Sequence, residues 1–407
     1  MDLFNVITVK DTTKLIDNFN YSLTAEKVTL LNATGRILAN DIIAKENVPY
    51  FRRSTVDGYA VNSRDVFGAS ESIQSVLDLK GEILMGEEPS TEIKIPGHCY
   101  YVPTGGAVPK GADSVIMIEY TEKLDDEVIL TSKATSPGEN VVEIGEDIKE
   151  DEKVIAKGTK LRAYEIGVLA SLGYYDVEVY KKPKIGIIST GDEVVHPAES
   201  IKPGQIRDIN TFLLYSLTEE SGCVPVNYGV VKDEYELLKQ TVEKAVTECD
   251  IVLMSGGSSV GKKDNTVNVI KYLKDGELMV HGISVKPGKP TIIGRSGDKI
   301  IFGLPGHPLA CAVIFKVIVK HYIEKLTQYK EIIYPIECRF KFNYHKAKGR
   351  EEFLPVTIEE KKGELVAAPV FGKSGLITGF SKAWGFIKIE RNEEGIKEAQ
   401  TVKVFKF

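Results

Sequence analysis

The sequence predicts a multidomain α/β plus β protein. At its centre stands a doubly wound, mostly parallel α/β domain, accompanied by a β-rich inserted domain, a helical or connector N-terminal domain and a C-terminal β-barrel-like domain. Three observations predict this. A chain of 407 residues exceeds the size at which a single hydrophobic core stops growing, so several domains are expected. After Lys181-Lys182-Pro183, apolar β-branched runs alternate with amphipathic stretches, the pattern of a parallel sheet with helices on both faces. From Ile332 onward, apolar and polar residues alternate at every other position, the period of half-buried strands.

Taken in order, the first segment places Leu15, Ile16 and Phe19, then Ile37 and Leu38, at three- and four-residue spacings, which predicts helix between Thr12 and Asn40. Between Val48 and Pro137 the chain changes to short β-rich runs, among them "IQSVLDL", "CYYVPTGG", "DSVIMIEY" and "EVILTS", punctuated by Gly, Pro and Asp. A Gly-rich loop, a short strand and a helix then fill the stretch up to Tyr180. The expected division is therefore 1–47 plus 138–181 for the N-terminal or connector domain and 48–137 for the inserted β domain. Residues 182–328 form the α/β domain and 329–407 the C-terminal β domain.

Within 182–328 the strands read "KIGIIST", "VPVNYGVV", "DIVLMSGG", "ELMVHGISV", "PTIIG" and "KIIFGL", with helices through "TFLLYSLTEES", "EYELLKQTVEKAV" and from Pro308 to about Leu326. The tail runs "ECRFKFNY", "EFLPVTIEE", "ELVAAPV" and "GFIKIE" suit a small barrel or a sandwich.

Composition narrows the function. Charged residues make up 27% and hydrophobic residues 43%, as in ordinary globular proteins, which argues against long disorder. The formal net charge of -6 supplies no basic field for nucleic acid or an anionic membrane, so an anionic ligand must be held by local groups. Cys99, Cys223, Cys249, Cys311 and Cys338 show no CxxC spacing and read as reduced, mostly buried thiols. Neither a signal-like N-terminus nor a run of about 18 apolar residues is present, so a cytoplasmic protein is expected.

Ligands of doubly wound sheets bind beyond the carboxyl ends of the strands. The first such loop, "STGDEVV", carries Asp192 and Glu193; a lone acidic pair there also suits a helix cap or Asx turn. The loop "SGGSSVGKKDNT" brings Ser255, Gly256, Gly257, Ser258 and Gly261, whose backbone N–H groups can face an oxyanion, although a Gly/Ser-rich stretch taken alone is more often just a turn. Asp264 follows, placed to bind a divalent cation or to cap the next helix. The spacing is neither a Walker loop nor a dinucleotide fingerprint. In "SVKPGKPTIIG", Pro287 and Pro290 stiffen a hairpin that displays Lys286 and Lys289, a pair suited to phosphate.

In "GLPGHPLACAV", Gly303 and Gly306 permit close backbone approach, Pro305 stiffens the turn and Pro308 suits a first helical position. The free N–H groups of the following helix then make a rigid oxyanion seat, although a buried turn into a core helix uses the same residues. On the β-rich side, Asp57 precedes Gly58 and Thr104 precedes two glycines, in loops that also suit ordinary turns, and "GEDI" offers Glu146 and Asp147 as a second carboxylate site, although a solvated turn is the more ordinary use of such a pair. Together these loops suggest an anionic, phosphate-bearing ligand with a hard cation such as Mg²⁺.

The order of the motifs adds a resemblance. "STVDGYAV", "PTGGAVPKGAD", "GEDI", "STGDEV", "SGGSSVGKKD", "VKPGKP" and "GLPGHP" stand in the order and approximate spacing of the molybdopterin molybdenumtransferases, relatives of the gephyrin E domain, and the similarity spans essentially the whole chain. The resemblance implies a molybdopterin-binding α/β domain and insertion of molybdate into adenylated molybdopterin with Mg²⁺-dependent release of AMP. It further implies an elongated homodimer with sites in clefts involving both subunits, and the upstream cofactor-synthesis enzymes as partners. Carried over by motif, Asp57, Thr104, Asp147, Glu193, Asp264, Lys286 and Lys289 would be catalytic. Asp233 in "VVKDEYE", Ser255, Gly256, Gly257, Ser258, Gly261, Pro305, Gly306 and Pro308 would bind substrate, and Glu193 and Asp264 would hold the metal. Val56 stands where the family more often has Met, and Gly375 and Ser381 match its substrate-facing tail segment too loosely to be given roles.

Two other readings compete. Molybdopterin adenylyltransferases resemble residues 182–328 but show Gly-Gly-Thr-Gly where this chain has Gly256-Gly257-Ser258-Ser259, and they lack the flanking domains. A non-catalytic scaffold would have no use for the acidic and basic motif residues that this chain keeps.

Overall fold

A computed structural model describes residues 6–87, 91–256, 265–372, 375 and 377–406. The chain forms two compact units, one of Met1–Lys27, Gly35–Ala39 and Glu178–Phe407, the other of Val28–Thr34 and Asn40–Val177.

The first unit holds the α/β domain. Its strands are β1 (Lys184–Thr190), β2 (Val224–Val231), β3 (Ile251–Ser255), β4 (Gly276–His281), β5 (Ile292–Ser296) and β6 (Lys299–Leu304), in the order β2-β1-β3-β6-β5-β4. β1 pairs in parallel with β2 and β3, and β3 with β6; β5 and β4 run antiparallel at one edge. The sheet is mostly parallel, as the alternating pattern predicted. Successive side chains of a strand point to opposite faces, and both faces are covered. Ile185, Ile187, Ile251, Leu253, Ile300 and Phe302 pack on one side against α1 (Val9–Asp17), α2 (Asn210–Glu220) and the helix that begins at Pro308. Ile188, Val252, Met254 and Ile301 pack on the other side against α3 (Tyr235–Glu248) and α4 (Asn265–Tyr272).

The helix from Pro308 comprises α5 (Pro308–Ile314), one π-type turn over Phe315–Val319 and α6 (Lys320–Thr327). Its buried stripe includes Cys311, Phe315, Ile318 and Tyr322.

The helix expected between Thr12 and Asn40 is shorter than that. Helix occupies Val9–Asp17, Ala25–Thr29 is a strand, Leu30–Asn32 a single 3₁₀ turn, and Leu38 forms a bridge with Val179. Asn18 and Asn20 are weak helix formers that end α1, and the later apolar pair packs through strand geometry instead. The end of α1 is also held from outside. Lys325 of α6 donates from Nζ to the carbonyls of Ile16 at 2.9 Å, Asp17 at 2.6 Å and Phe19. Burial pushes this ammonium below the usual lysine range. Replacing Lys325 with Met keeps the stem but removes a donor that three carbonyls share, and should lower stability by about 2 kcal/mol. Urea unfolding of the two proteins measures it, and equal midpoints would remove this capping role.

The C-terminal residues close into a barrel rather than a sandwich. β7 (Ile336–Phe340), β8 (Glu351–Lys361), β9 (Glu364–Pro369), β10 (Gly385–Ile389) and β11 (Thr401–Lys406) pair in the ring β8-β9-β7-β11-β10-β8. Cys338, Phe340, Val356, Ala367, Ile387 and Val404 fill it. Val285–Lys286 adds a short parallel partner to β8.

The second unit carries an open six-stranded sheet in the order Ser114–Met117, Gly58–Val61, His98–Val102, Ser75–Glu82, Val128–Thr131, Thr121–Lys123. All five cysteines of the chain are buried thiols. Among the described residues no helix is long and apolar enough to cross a membrane.

Candidate functional site

Strand order reverses between β1 and β3, because the chain leaves β1 for β2 on one side and returns to β3 on the other. The carboxyl ends of β1, β3 and β6 enclose a cleft of about 670 Å³ there, as doubly wound sheets generally do at such a crevice. Its lining includes Ser189 to Val194, Ile206 to Asn210, Asp233, Ser255, Gly256, Pro290, Pro305 to Pro308 and Gly375.

The floor is a polar cluster. Ser189 Oγ lies 2.8 Å from Thr211 Oγ1, 3.0 Å from Ser255 Oγ and 3.3 Å from Asp208 Oδ1. The Asp208 carboxylate, only 6% exposed, accepts the Thr211 N–H at 3.0 Å and so caps the first turn of α2. Above it, Asn210 Nδ2 donates to the Gly306 carbonyl at 2.8 Å, tying α2 to the Pro305–Pro308 turn. Pro305 and Pro308 are buried, Gly306 and His307 exposed, and Pro308 occupies the first helical position of α5 as its fixed φ predicts. Thr190 Oγ1 and Asn210 Oδ1 are buried without a hydrogen-bond partner among the described residues. Buried polar atoms of this kind are rare in folded proteins and suit ligand contact.

Close approach explains the glycine at the end of β3. Gly256 has φ +99°, and a Cβ there would lie 2.2 Å from the Thr190 carbonyl oxygen. The opposed Gly306 would bring a Cβ to 3.7 Å from Gly256 Cα, so two backbones without side chains border the same space. This is a wall where a ligand oxygen can reach N–H groups.

The acidic residues divide by role. Asp192 Oδ1 accepts the Asp233 N–H at 3.1 Å, a bond across 41 positions and not the local helix cap or Asx turn that an acidic pair also suits, whereas Glu193 is exposed at the cleft wall. Asp233 Oδ1 accepts from Asn265 Nδ2 at 2.8 Å at the start of α4. Four carboxylates, those of Asp192, Glu193, Asp208 and Asp233, thus line the cleft against one guanidinium, Arg207. Such a lining repels a phosphate ester unless a cation intervenes, and hard oxygen donors suit Mg²⁺. Among the described residues, no three His, Cys, Asp or Glu side chains are grouped so as to hold a metal ion by themselves.

Of the residues singled out from sequence, the cleft brings together Glu193, Asp233, Ser255, Gly256, Pro305, Gly306 and Pro308. Lys286 and Lys289 are not part of its lining, although their neighbour Pro290 is. The lysine loop is closed at its base as a hairpin would be, by Gly282 N–H to Thr291 O at 2.9 Å and Ile283 N–H to Lys289 O at 3.0 Å. Lys286 extends to Glu352 of β8, with Nζ 2.9 Å from Oε1. Gly257, Ser258, Gly261 and Asp264 lie outside the described residues.

Asp57, Thr104 and Asp147 belong to the second unit. There the exposed Asp57 Oδ1 accepts the Thr104 N–H at 2.7 Å and its hydroxyl at 3.0 Å, while Asp147 is exposed beside Val48, whose carbonyl accepts its N–H at 3.1 Å.

Sequence reasoning missed Ser189, Thr190, Asp208, Asn210 and the cleft position of Gly375. A signal for Asp208 was present: Asp two residues before the helix "NTFLLYSL" reads as a cap. Nothing local announced Ser189 and Thr190, which look like any strand end.

Comparison with known proteins covers nearly all of the chain. Residues 7–173 match the MoeA N-terminal region (domain I and II), residues 186–325 a probable molybdopterin binding domain, and residues 337–407 the MoeA C-terminal region (domain IV). The chain is 35% identical to a putative molybdopterin biosynthesis protein of Methanocaldococcus jannaschii, over 96% of this chain and 94% of that one. It is 32% identical to the molybdopterin molybdenumtransferase of Haemophilus influenzae, over 97% and 96% of the two chains. Solved structures of molybdopterin biosynthesis MoeA proteins from Pyrococcus horikoshii superpose with TM-scores of 0.86 at 37% identity and 0.85 at 30% identity, each covering 99% of this chain and 99% and 100% of those chains respectively.

Proposed function

The chain belongs to the MoeA family of molybdopterin molybdenumtransferases, and from that premise we propose how its cleft inserts molybdate into adenylated molybdopterin and releases AMP. The protein is a transferase of molybdenum cofactor biosynthesis. The observation that carries the reading of the site is the cleft at the reversal of strand order, whose carboxylate-rich wall suits a phosphate ester only together with a cation.

In this reading the N–H groups around Gly256, continued by Gly257, Ser258 and Gly261, receive substrate oxyanions, and the Pro305-Gly306 turn ahead of Pro308 holds a second oxyanion against the start of α5. Ser255 and Asp233 keep the two loop ends in place through the bonds described above. Glu193 and Asp264 would hold Mg²⁺, which would supply charge neutralisation at the phosphate released as AMP. Lys286 and Lys289 hold phosphate or molybdate oxygens as point charges. Asp57, Thr104 and Asp147 are further catalytic groups of the reaction. The working molecule in this reading is a cytoplasmic homodimer that receives its substrate from the upstream cofactor-synthesis enzymes.

The test is AMP release from adenylated molybdopterin by the purified protein. Release is expected to need both molybdate and Mg²⁺ and to stop when the cation is chelated. Tight nucleotide binding without release under any oxyanion would replace catalysis by a carrier role.

A further inference from the structure

We propose that Glu352, backed by Tyr344, is the positioning residue that aims Lys286 in the transferase reaction. The inference rests on the reading of Lys286 as a substrate-holding residue and adds what orients it.

Backbone pairing fixes the two side chains beside each other. Val285 and Lys286 pair in parallel with Glu351 and Glu352, in the register Lys286 to Glu352. The Glu351 N–H donates to Ser284 O at 3.1 Å, and Ser284 Oγ donates to Gly349 O at 2.7 Å. Parallel neighbours in register project their side chains to the same face. The Lys286 ammonium accordingly meets Glu352 Oε1 at 2.9 Å.

The two partners differ sharply in exposure. The Lys286 side chain is 51% exposed and that of Glu352 5%. A carboxylate so buried is held by what it bonds, and the Tyr344 hydroxyl donates to the same Oε1 at 2.6 Å. Burial and the adjacent carboxylate push the Tyr344 phenol well above its ordinary range, so it remains a donor throughout the working pH. Lysine is a flexible four-carbon stem with three donors. Anchoring one donor on a buried acceptor removes most of its rotamers and leaves two N–H groups for an anion. A surface ion pair would offer little of this, because both partners would move.

The measurement is steady-state AMP release by the full-length protein with Mg²⁺ and adenylated molybdopterin, molybdate being varied. Glu352→Gln keeps the shape and the Tyr344 bond but removes the charge. It should lower kcat/KM for molybdate about 10-fold at a temperature where the variant is fully folded. Glu352→Asp should recover part of the loss. In a Lys286→Met background, Glu352→Gln should change turnover less than about 2-fold, because a residue acting through Lys286 has nothing left to act on.

A wild-type kcat/KM in Glu352→Gln, or losses that multiply in the double variant, would overturn the proposal. Should Glu352→Gln not fold, Tyr344→Phe carries the same test, with an expected loss of about 3-fold that again disappears with Lys286→Met. Wild-type turnover in Lys286→Met alone would overturn the underlying reading of the lysine, a result distinct from an inert Glu352.

Discussion

A Gly256→Ala variant is expected to lose about 3 kcal/mol of stability and about 100-fold in turnover. Two independent costs meet at this residue. Its φ of +99° lies where a side chain strains the backbone, and the new Cβ would lie 2.2 Å from the carbonyl oxygen of Thr190 and 2.8 Å from its hydroxyl. The second cost cannot be relieved by rotating a side chain, because the clash is with backbone. Either the end of β3 or the end of β1 must move, and both border the cleft where strand order reverses. Gly229 in β2 provides the control, since its φ is +79° but a Cβ there meets nothing within 4 Å. Gly229→Ala should cost about 1 kcal/mol and leave turnover near that of the parent. Urea unfolding and AMP release on the two variants separate backbone strain from displacement of the site; equal effects would refute the close-approach argument.

Lys286→Ala is expected to reduce AMP release about 100-fold, and Asp264→Asn to do the same by removing the proposed cation ligand. Viewed as a loop residue, Lys286 should be dispensable for folding. Its pairing with Glu352 changes that expectation. Deleting the ammonium leaves a nearly buried carboxylate with the Tyr344 hydroxyl but no opposite charge, a situation that destabilises folded proteins. The other end of the pair is half exposed, so water limits the penalty to about 1–2 kcal/mol. Lys286→Ala should therefore lose both activity and some stability, whereas Asp264→Asn should lose activity. Near-normal turnover in both would remove the site assignment and leave the family untouched.

Much of this was legible without coordinates because the signals are local. The buried runs "KIGIIST" and "DIVLMSGG" announce strands covered on both faces, and both are such strands. Pro308 announces a helix start, and α5 begins there. The Thr12–Asn40 segment misled because three- and four-residue apolar spacing holds for a single helix turn or two and then, at Leu38, serves a strand-like bridge to Val179. Periodicity over so few residues cannot distinguish the two.

By itself, then, the sequence determined the domain types and, through the order of seven motifs, the family, and it singled out the loops proposed to carry chemistry. Backbone conformation and burial preference act over a few residues, so Gly, Pro and apolar spacing record them directly. Which atoms meet was decided by the tertiary structure alone. Ser189, Asp208, Thr211 and Ser255 form one cluster although Ser189 and Ser255 are 66 positions apart, and Glu352 reaches Lys286 across an equal separation. Those meetings depend on strand order and register, which arise when distant apolar faces find a common core, and neither leaves a mark in the local composition around the residues it joins.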